Sequence, residues 1–257
     1  MSYNPEDYDY SIIIKKIEKF VLQKVMESNS NGIVIGLSGG IDSSVCLGLA
    51  SRSIPKHNIL GLIMPMEGIT PEEDEIDAID LAKQFNVEYR IIKLNKISQE
   101  YMKKLNKHKI AQGNLLARIR MSILYYHANL LNRIVIGTGD KSEYMLGYFT
   151  KFGDGAADIA PIADLFKTQV RILSKKLEIS HKITNKKSGP RLWENHNAED
   201  ELQMTYEDVD KLLYSLITNN LDEEHLSKQK LKFIKLINKR IKDNKHKKEL
   251  PEICKIN

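Results

Sequence analysis

Residues 33–44 read IVIGLSGGIDSS, a short apolar run that leads through a Ser-Gly-Gly turn into a helix-like stretch. The run 33–37 predicts a strand buried on both faces, because such strands read as continuous apolar sequence. Gly39 and Gly40 let the backbone approach a ligand closely, and the helix that follows offers free N–H groups and a positive dipole end to an anion. The segment therefore predicts a phosphate-binding loop between a strand and a helix.

The polar residues of this loop indicate which kind of anion it would bind. Ser38, Ser43 and Ser44 add hydroxyl donors, but neither the GxxxxGK[ST] nor the GxGxxG pattern is present. Asp42 would repel a bare phosphate, so its position indicates a divalent cation between carboxylate and phosphate. The alternative is an ordinary strand-to-helix turn with an N-cap, where Ser, Gly and Asp are common.

The rest of the chain extends the alternation of strands and helices. Three further apolar runs predict strands, at 59–64, 87–94 and 134–137. Apolar residues at helical spacing predict helices at 11–26, 42–53, 72–85 and 114–132. This order predicts an α/β protein with a parallel sheet. The sequence beyond Asp158 is helical in pattern, except for a polar interruption at 182–200 that predicts a mobile loop.

Composition and charge argue against a disordered chain and against a dedicated nucleic-acid-binding protein. With 257 residues, 42% of them hydrophobic and 28% charged, the chain can bury a core, and we expect one domain over 1–257. A net charge of +5 suits small anionic ligands but falls short of a dedicated nucleic-acid-binding protein. Cys46 and Cys254 lie far apart and predict free, reduced thiols. The chain has neither a signal peptide nor an apolar run of membrane-spanning length, so we expect a cytoplasmic protein without a membrane partner.

The loop SGGIDSS resembles the pyrophosphate-binding loop of the N-type ATP pyrophosphatases, which cleave ATP to AMP and pyrophosphate while adenylylating an acceptor. That group includes GMP synthetase, asparagine synthetase, thiouridine-forming enzymes and NAD synthetase. Three later blocks resemble the ammonia-dependent NAD synthetase family in order and spacing: NLLARIRM at 114–121, GTGDKSEYMLG at 137–147 and YFTKFGDGAADIAPIADLFKTQV at 148–170. The resemblance implies a Rossmann-like parallel sheet flanked by helices, of the adenine nucleotide alpha hydrolase-like type.

The resemblance also implies an ATP site with Mg²⁺. Asp42 and Glu143 each follow a predicted strand and should meet at the carboxyl edge of the sheet, where two carboxylates with phosphate oxygens suit Mg²⁺. By resemblance Lys167 contacts the ATP phosphates and offsets charge on the leaving pyrophosphate. The implied ATP contacts are Gly36, Leu37, Ser38, Gly39, Gly40, Ile41, Asp42, Ser43, Ser44, Thr138, Lys167 and Gly189.

The implied acceptor is deamido-NAD. Its contacts by resemblance are Arg118, Lys151, Asp158, His246 and Lys247, and the last two match a pair that reaches the acceptor of the neighbouring subunit in a homodimer. Asp154 is the hypothetical binder of ammonium and acceptor of its proton, and so a catalytic residue beside Lys167. The alternative for Asp154 is an acid in a glycine turn.

The implied reaction is amidation of deamido-NAD by ammonia through an adenylylated intermediate, which requires no side-chain nucleophile. The chain leaves no length for a glutaminase domain, so free ammonia, or ammonia from a separate partner, is the expected nitrogen source. RNA thiolation or lysidine formation would bring catalytic cysteines or an RNA-binding domain. A non-catalytic nucleotide-binding regulator is the other alternative.

The lysine-rich stretch 238–248 predicts a solvated helix face and not a nucleic-acid site.

Residues 182–205, the predicted mobile lid, depart from the family pattern. Gly189 stands where a Ser or Thr aligns, His196 replaces a Gln and Ala198 replaces an acid. His196 is expected to be an exposed loop residue, and Trp193 either a substrate-stacking group or a packing residue at a hinge. Asp140 stands where Asn is frequent, a change expected to have little bearing on the metal site.

Overall fold

Four short strands form one parallel sheet. The computed structural model describes residues 3–189, 191–194, 196–220 and 227–256. The strands are β1 Ile33–Gly36, β2 Ile59–Ile63, β3 Glu88–Ile91 and β4 Ile134–Ile136. They run parallel in the order β3–β2–β1–β4, so the predicted α/β class with a parallel sheet is confirmed.

Helices flank the sheet. Among the described residues the α-helices are α1 Tyr10–Glu27, α2 Ile41–Ser53, α3 Glu72–Gln84, α4 Asn95–Met102, α5 Lys109–Leu131, α6 Lys141–Leu146, α7 Lys167–Lys176, α8 His181–Thr184, α9 Ala198–Leu202, α10 Tyr206–Ile217 and α11 Lys228–Asp243. The first three agree closely with the predicted helices. α5 begins before the predicted residue 114, because the His108 side chain accepts the Ala111 N–H and starts the helix at Lys109.

The pleat of the strands divides the core into two layers. Ile33 and Ile35 of β1 pack with α1, α2 and α7 on one face, whereas Val34 packs with α5 on the other. The prediction at 87–94 is corrected in length and burial. β3 has only four residues, and its Ile91 is 42% exposed, because β3 lies at the edge of the sheet.

The strand order opens a crevice at the carboxyl edge. Strand β2 lies on one side of β1 and β4 lies on the other, so the strand order reverses at β1. In open parallel sheets, ligands usually bind in the crevice at the point where the strand order reverses. A smaller apolar cluster of α6, α10 and α11 packs beside it, around Leu146, Leu213 and Ile237.

Cys46 and Cys254 are free thiols, as predicted. No helix in the described part of the chain has both the length and the apolar character that crossing a bilayer requires.

Candidate active site

The loop after β1 leaves backbone N–H groups open at the start of α2. Gly39 has φ +72°, and a Cβ there would lie 2.1 Å from the carbonyl oxygen of Asp74, so only glycine fits. The hydroxyls of Ser43 and Ser44 donate to the Gly40 carbonyl, at 3.1 and 2.8 Å, and brace the turn. The first N–H groups of a helix have no intrahelical acceptor, and the Gly40 N-cap supplies no side chain to satisfy them. This helix end is therefore able to bind an anion.

A buried lysine gathers three carboxylates beside that loop. The side chain of Lys167 is fully buried, and its Nζ lies 2.7 Å from Asp42 Oδ2, 2.9 Å from Asp140 Oδ2 and 3.0 Å from Glu143 Oε1. The structure thus brings together Asp42, Glu143 and Lys167, the three charged residues of the predicted ATP and metal site. In this arrangement the ammonium of Lys167 faces the carboxylates.

Asp140 is a third acid in contact with Lys167. Its side chain is fully buried beside Lys167 and accepts the Glu143 N–H at 2.8 Å as the N-cap of α6. Burial raises the pKa of the Asp140 carboxyl to about 7, although the Lys167 ammonium opposes the shift. The family pattern alone did not indicate that residue 140 would face Lys167.

The cluster fits a divalent cation. Burial raises the pKa of Glu143, so its charged form needs a cationic partner, and three carboxyl groups share the single ammonium of Lys167. Asp42 Oδ1 is a buried atom without a hydrogen-bond partner among the described residues. Within that part of the chain, however, no group of three or more potential ligands forms a metal site by itself. The carboxylates therefore suit Mg²⁺ that is also held by phosphate oxygens.

A cavity lies over the carboxyl ends of β1 and β4. Of the residues predicted to bind ATP, those that line it are Gly36, Leu37, Ser38, Gly40, Ile41, Asp42, Ser43, Thr138 and Gly189. Ser44 is buried behind the loop, where its hydroxyl is bonded to Gly40. On another wall Arg120 donates from Nε to the Met64 carbonyl at 3.3 Å.

Four residues predicted to bind the acceptor gather around the loop 147–154. Arg118 donates from Nε and Nη2 to the Lys151 carbonyl, at 3.3 and 3.1 Å, and the Lys151 ammonium donates to the His246 carbonyl. Lys247 Nζ donates to two carbonyls of the loop, at 2.8 and 2.9 Å. The side chains of Arg118, Lys151 and Lys247 thus form a basic cluster beside the cavity, to which His246 contributes a main-chain carbonyl.

The two acids of the FTKFGDGAAD block lie in different surroundings. Asp154 lines the cavity, and its carboxylate accepts the Thr150 N–H at 2.9 Å. Although Asp154 as a whole is exposed, the protein atoms packed around its carboxyl group raise its pKa. Asp158, by contrast, is not part of the basic cluster: it accepts the Val135 N–H at 2.7 Å and the Tyr125 hydroxyl at 3.2 Å, and so braces β4.

The segment 182–205 differs from its prediction at His196. The residue was expected to be exposed but is only 6% exposed, because its ring stacks on Trp193 with 3.6 Å between centroids. Its Nε2 also lies 2.9 Å from Glu201 Oε2. Trp193 packs against His196 and also against α5, where Lys109 Nζ lies 4.7 Å from its ring centroid. Helices α8 and α9 lie at the two ends of the predicted loop.

Two cations of this segment reach α3. Lys186 pairs with Asp74 at 2.6 Å and with Asp77 at 2.5 Å, and Arg191 pairs with Asp74 at 3.2 Å. These residues carry no signal in the sequence, because acids in the first turn of a helix and lysines in a polar loop are common. Asp210 does carry a signal, since it falls on the apolar stripe of α10.

Comparisons with known proteins agree with this geometry. The family model described as NAD synthase matches residues 13–251. A curated NH(3)-dependent NAD(+) synthetase of Staphylothermus marinus is 48% identical over 213 residues, which are 82% of this chain and 78% of that protein. One of Archaeoglobus fulgidus is 39% identical over 249 residues, which are 96% of this chain and 98% of that protein.

Solved structures share the fold. An NMN synthetase from Francisella tularensis superposes with a TM-score of 0.85 at 34% identity, covering 96% of this chain and 99% of that one. An NH3-dependent NAD synthetase from Campylobacter jejuni, solved with nitrate, gives a TM-score of 0.83 at 33% identity, covering 96% of this chain and 100% of that one.

Proposed function

The chain belongs to the NAD synthase family, and we propose that it joins ammonia to the carboxylate of deamido-NAD while cleaving ATP to AMP and pyrophosphate. Such an enzyme is a carbon–nitrogen ligase with ATP as co-substrate. The observation that carries the proposal is the contact of Lys167 with Asp42, Asp140 and Glu143 beside an open helix N-terminus.

The proposed reaction has two steps. A carboxylate oxygen of the nicotinic acid ring attacks the α-phosphorus of ATP, and pyrophosphate leaves with the bonding electron pair. Ammonia then attacks the acyl carbon, AMP leaves with the carboxylate oxygen and the bonding electron pair, and the nitrogen releases one proton to solvent as the amide forms. Catalysis by this chain is positioning and charge stabilisation, because the reaction requires no covalent bond to a side chain.

Each part of the site has a proposed role in these steps. The N–H groups at the start of α2 bind the departing pyrophosphate, and Lys167 offsets its charge. Asp154 accepts the proton that ammonium releases, a role that its raised pKa favours. Asp42 and Glu143 would hold Mg²⁺, which supplies positive charge to the phosphate oxygens.

The acceptor site and the assembly are further parts of the proposal. Arg118 and Lys151 bind the phosphates of deamido-NAD, supported by their place in the basic cluster, and Asp158 holds their wall in place. The match of His246 and Lys247 to a family pair supports a homodimer in which this pair serves the neighbouring site. The segment 182–205 acts as a lid, and the two free thiols support a cytoplasmic location.

A second acceptor has a specific observation in its favour. The Francisella tularensis structure with a TM-score of 0.85 is an NMN synthetase. The same chemistry on a mononucleotide acceptor would yield NMN, since the reacting carboxylate is the same. The test is therefore a comparison of the two acceptors.

The test assays the purified chain with ATP, Mg²⁺ and ammonium, and with either deamido-NAD or its mononucleotide counterpart. The proposal predicts NAD, AMP and pyrophosphate in equal amounts, and a higher kcat/KM for the dinucleotide. NMN formation with the higher kcat/KM would reassign the acceptor. ATP cleavage without amide formation would indicate another acceptor, and no cleavage would favour a nucleotide-binding regulator.

A further inference from the structure

Helix α10 places two polar residues beneath the start of α7. Tyr206 and Asp210 are one turn apart and so share a face of α10, and both are fully buried. The other buried residues of this helix are the apolar Val209 and Leu213. An acid on an apolar stripe is costly to bury, which indicates a specific role for its charge.

The carboxylate of Asp210 joins two helices of the candidate site. Its Oδ2 accepts the Thr168 N–H at 2.9 Å and the Thr168 hydroxyl at 2.8 Å. Its Oδ1 accepts the Ser142 hydroxyl at 2.5 Å, and Ser142 Oγ in turn accepts the Lys167 N–H at 3.0 Å. One carboxylate therefore fixes the first two backbone N–H groups of α7 and one side chain of α6.

These contacts act on the charged cluster through neighbouring residues. Lys167 is the first residue of α7, and Ser142 directly precedes Glu143 on α6. The Tyr206 ring lies 5.2 Å from Lys167 Nζ and packs against that side chain. We infer that Asp210 is a positioning residue that holds α6 and α7 in register, so that Lys167 faces Glu143 and Asp42. The inference rests on the proposed function of the Lys167 site.

A purely structural cap would not need this charge. Ser, Thr or Asn caps a helix N-terminus as well as Asp does, without a buried anion. Burial raises the pKa of Asp210, which is the penalty that a neutral residue would avoid. A carboxylate, however, accepts hydrogen bonds at both oxygens, and only an acceptor at both ends engages Thr168 and Ser142 together.

The test compares Asp210→Ala with Val209→Ala, at a temperature where both are folded. Val209 is 1% exposed on the same helix, so its truncation also destabilises the core, but it makes no polar link to α6 or α7. We expect Asp210→Ala to lower kcat by about 10²-fold relative to Val209→Ala, because displacement of a charged group by about 1 Å has such an effect. The KM for ATP should stay within about threefold, since the loss falls on the transition state.

A second readout does not depend on the reaction. An amine-acylating reagent should label the buried Lys167 slowly in the wild type and several-fold faster in Asp210→Ala but not in Val209→Ala, with the exposed Lys175 of α7 as internal reference. If the wild type makes no amide, the proposed function fails, while the labelling still tests the positioning of Lys167.

If Asp210→Ala does not fold, Asp210→Asn replaces it in the test. Its amide oxygen still accepts from Thr168, but its NH₂ group cannot accept from Ser142. We expect kcat to fall roughly tenfold relative to Asp208→Asn, the matched change at an exposed position of α10, and less than in Asp210→Ala. Equal kcat and equal Lys167 labelling in the Asp210 variants and their controls would overturn the inference.

Discussion

Nζ of Lys186 lies 2.6 Å from Oδ1 of Asp74, which joins the segment 182–205 to the helix that backs the phosphate loop. The main-chain carbonyl of the same Asp74 approaches Gly39 so closely that no side chain fits there. Arg191 reaches the other oxygen of Asp74, at 3.2 Å. One buried acid thus connects the loop and the predicted lid.

Removing the charge of Asp74 should loosen the lid. In Asp74→Asn both cations lose an ionic partner at a buried position, so we expect the KM for ATP to rise roughly tenfold, the equivalent of about 1.4 kcal/mol. Trp193, the one tryptophan of the chain, reports on the segment, and iodide should quench its fluorescence more strongly in the variant. Glu73→Gln, at an exposed neighbour, is the control. Unchanged quenching and KM would contradict the link.

Replacing Lys167 by Met should destabilise the fold when Mg²⁺ is absent. Three buried or half-buried carboxylates then lose their counter-charge, a change on the order of 3–5 kcal/mol. Thermal melts at pH 8 should show a lower Tm that Mg²⁺ raises more in this variant than in the wild type. Lys141→Met, which removes a lysine paired with the exposed Asp164, serves as control. An equal Mg²⁺ effect in all three proteins would contradict the expectation that removal of Lys167 strengthens cation binding by the carboxylates.

Replacing Gly189 by Ser, a hydroxyl residue that the family pattern has at this position, should destabilise the protein. A Cβ at Gly189 would lie 2.2 Å from the carbonyl oxygen of His196, and backbone cannot yield as a flexible side chain does. We expect Gly189→Ser to lower stability by about 1–3 kcal/mol and to raise the KM for ATP. Denaturant melts measure the first effect, with the exposed Asn185→Ser as control. A gain in both stability and ATP affinity would mean that the segment takes another path.

Asp154 should affect turnover more than ATP binding. In Asp154→Asn the amide still accepts the Thr150 N–H but cannot take up a proton, so we expect kcat to fall by 10²-fold or more, a typical loss for general-base catalysis, at every ammonium concentration. The KM for ATP should change little. Steady-state kinetics measure kcat and the KM for ATP, with Asp164→Asn, a change at a highly exposed position, as control. Unchanged turnover across the ammonium range would contradict the role of Asp154.

The strands and the phosphate loop could be predicted because local sequence determines them. The run at β1 is apolar and β-branched, and Gly39 has the positive φ that the turn requires. The edge strand β3 was predicted too long, since a continuous apolar pattern does not reveal where strand pairing ends. Helix α6 was missed because it has only six residues and no room for a periodic pattern.

The side-chain partners in the site depend on tertiary packing, which sequence patterns describe poorly. His196 looks like a loop residue, yet Trp193 and Glu201 bury it. Asp140 differs from the frequent Asn by one charge, and only its distance of 2.9 Å to Lys167 reveals its effect. Asp210 was detectable as an acid on the apolar stripe of α10, although the sequence does not name its partners.

In the proposed reaction the acceptor carboxylate is adenylylated before ammonia reacts. Deamido-NAD labelled with ¹⁸O in the nicotinic acid carboxylate tests this order, with mass spectrometry of all products after a single turnover. One ¹⁸O atom should appear in AMP, and pyrophosphate should stay unlabelled. Label in inorganic phosphate, or AMP without label while NAD forms, would contradict it.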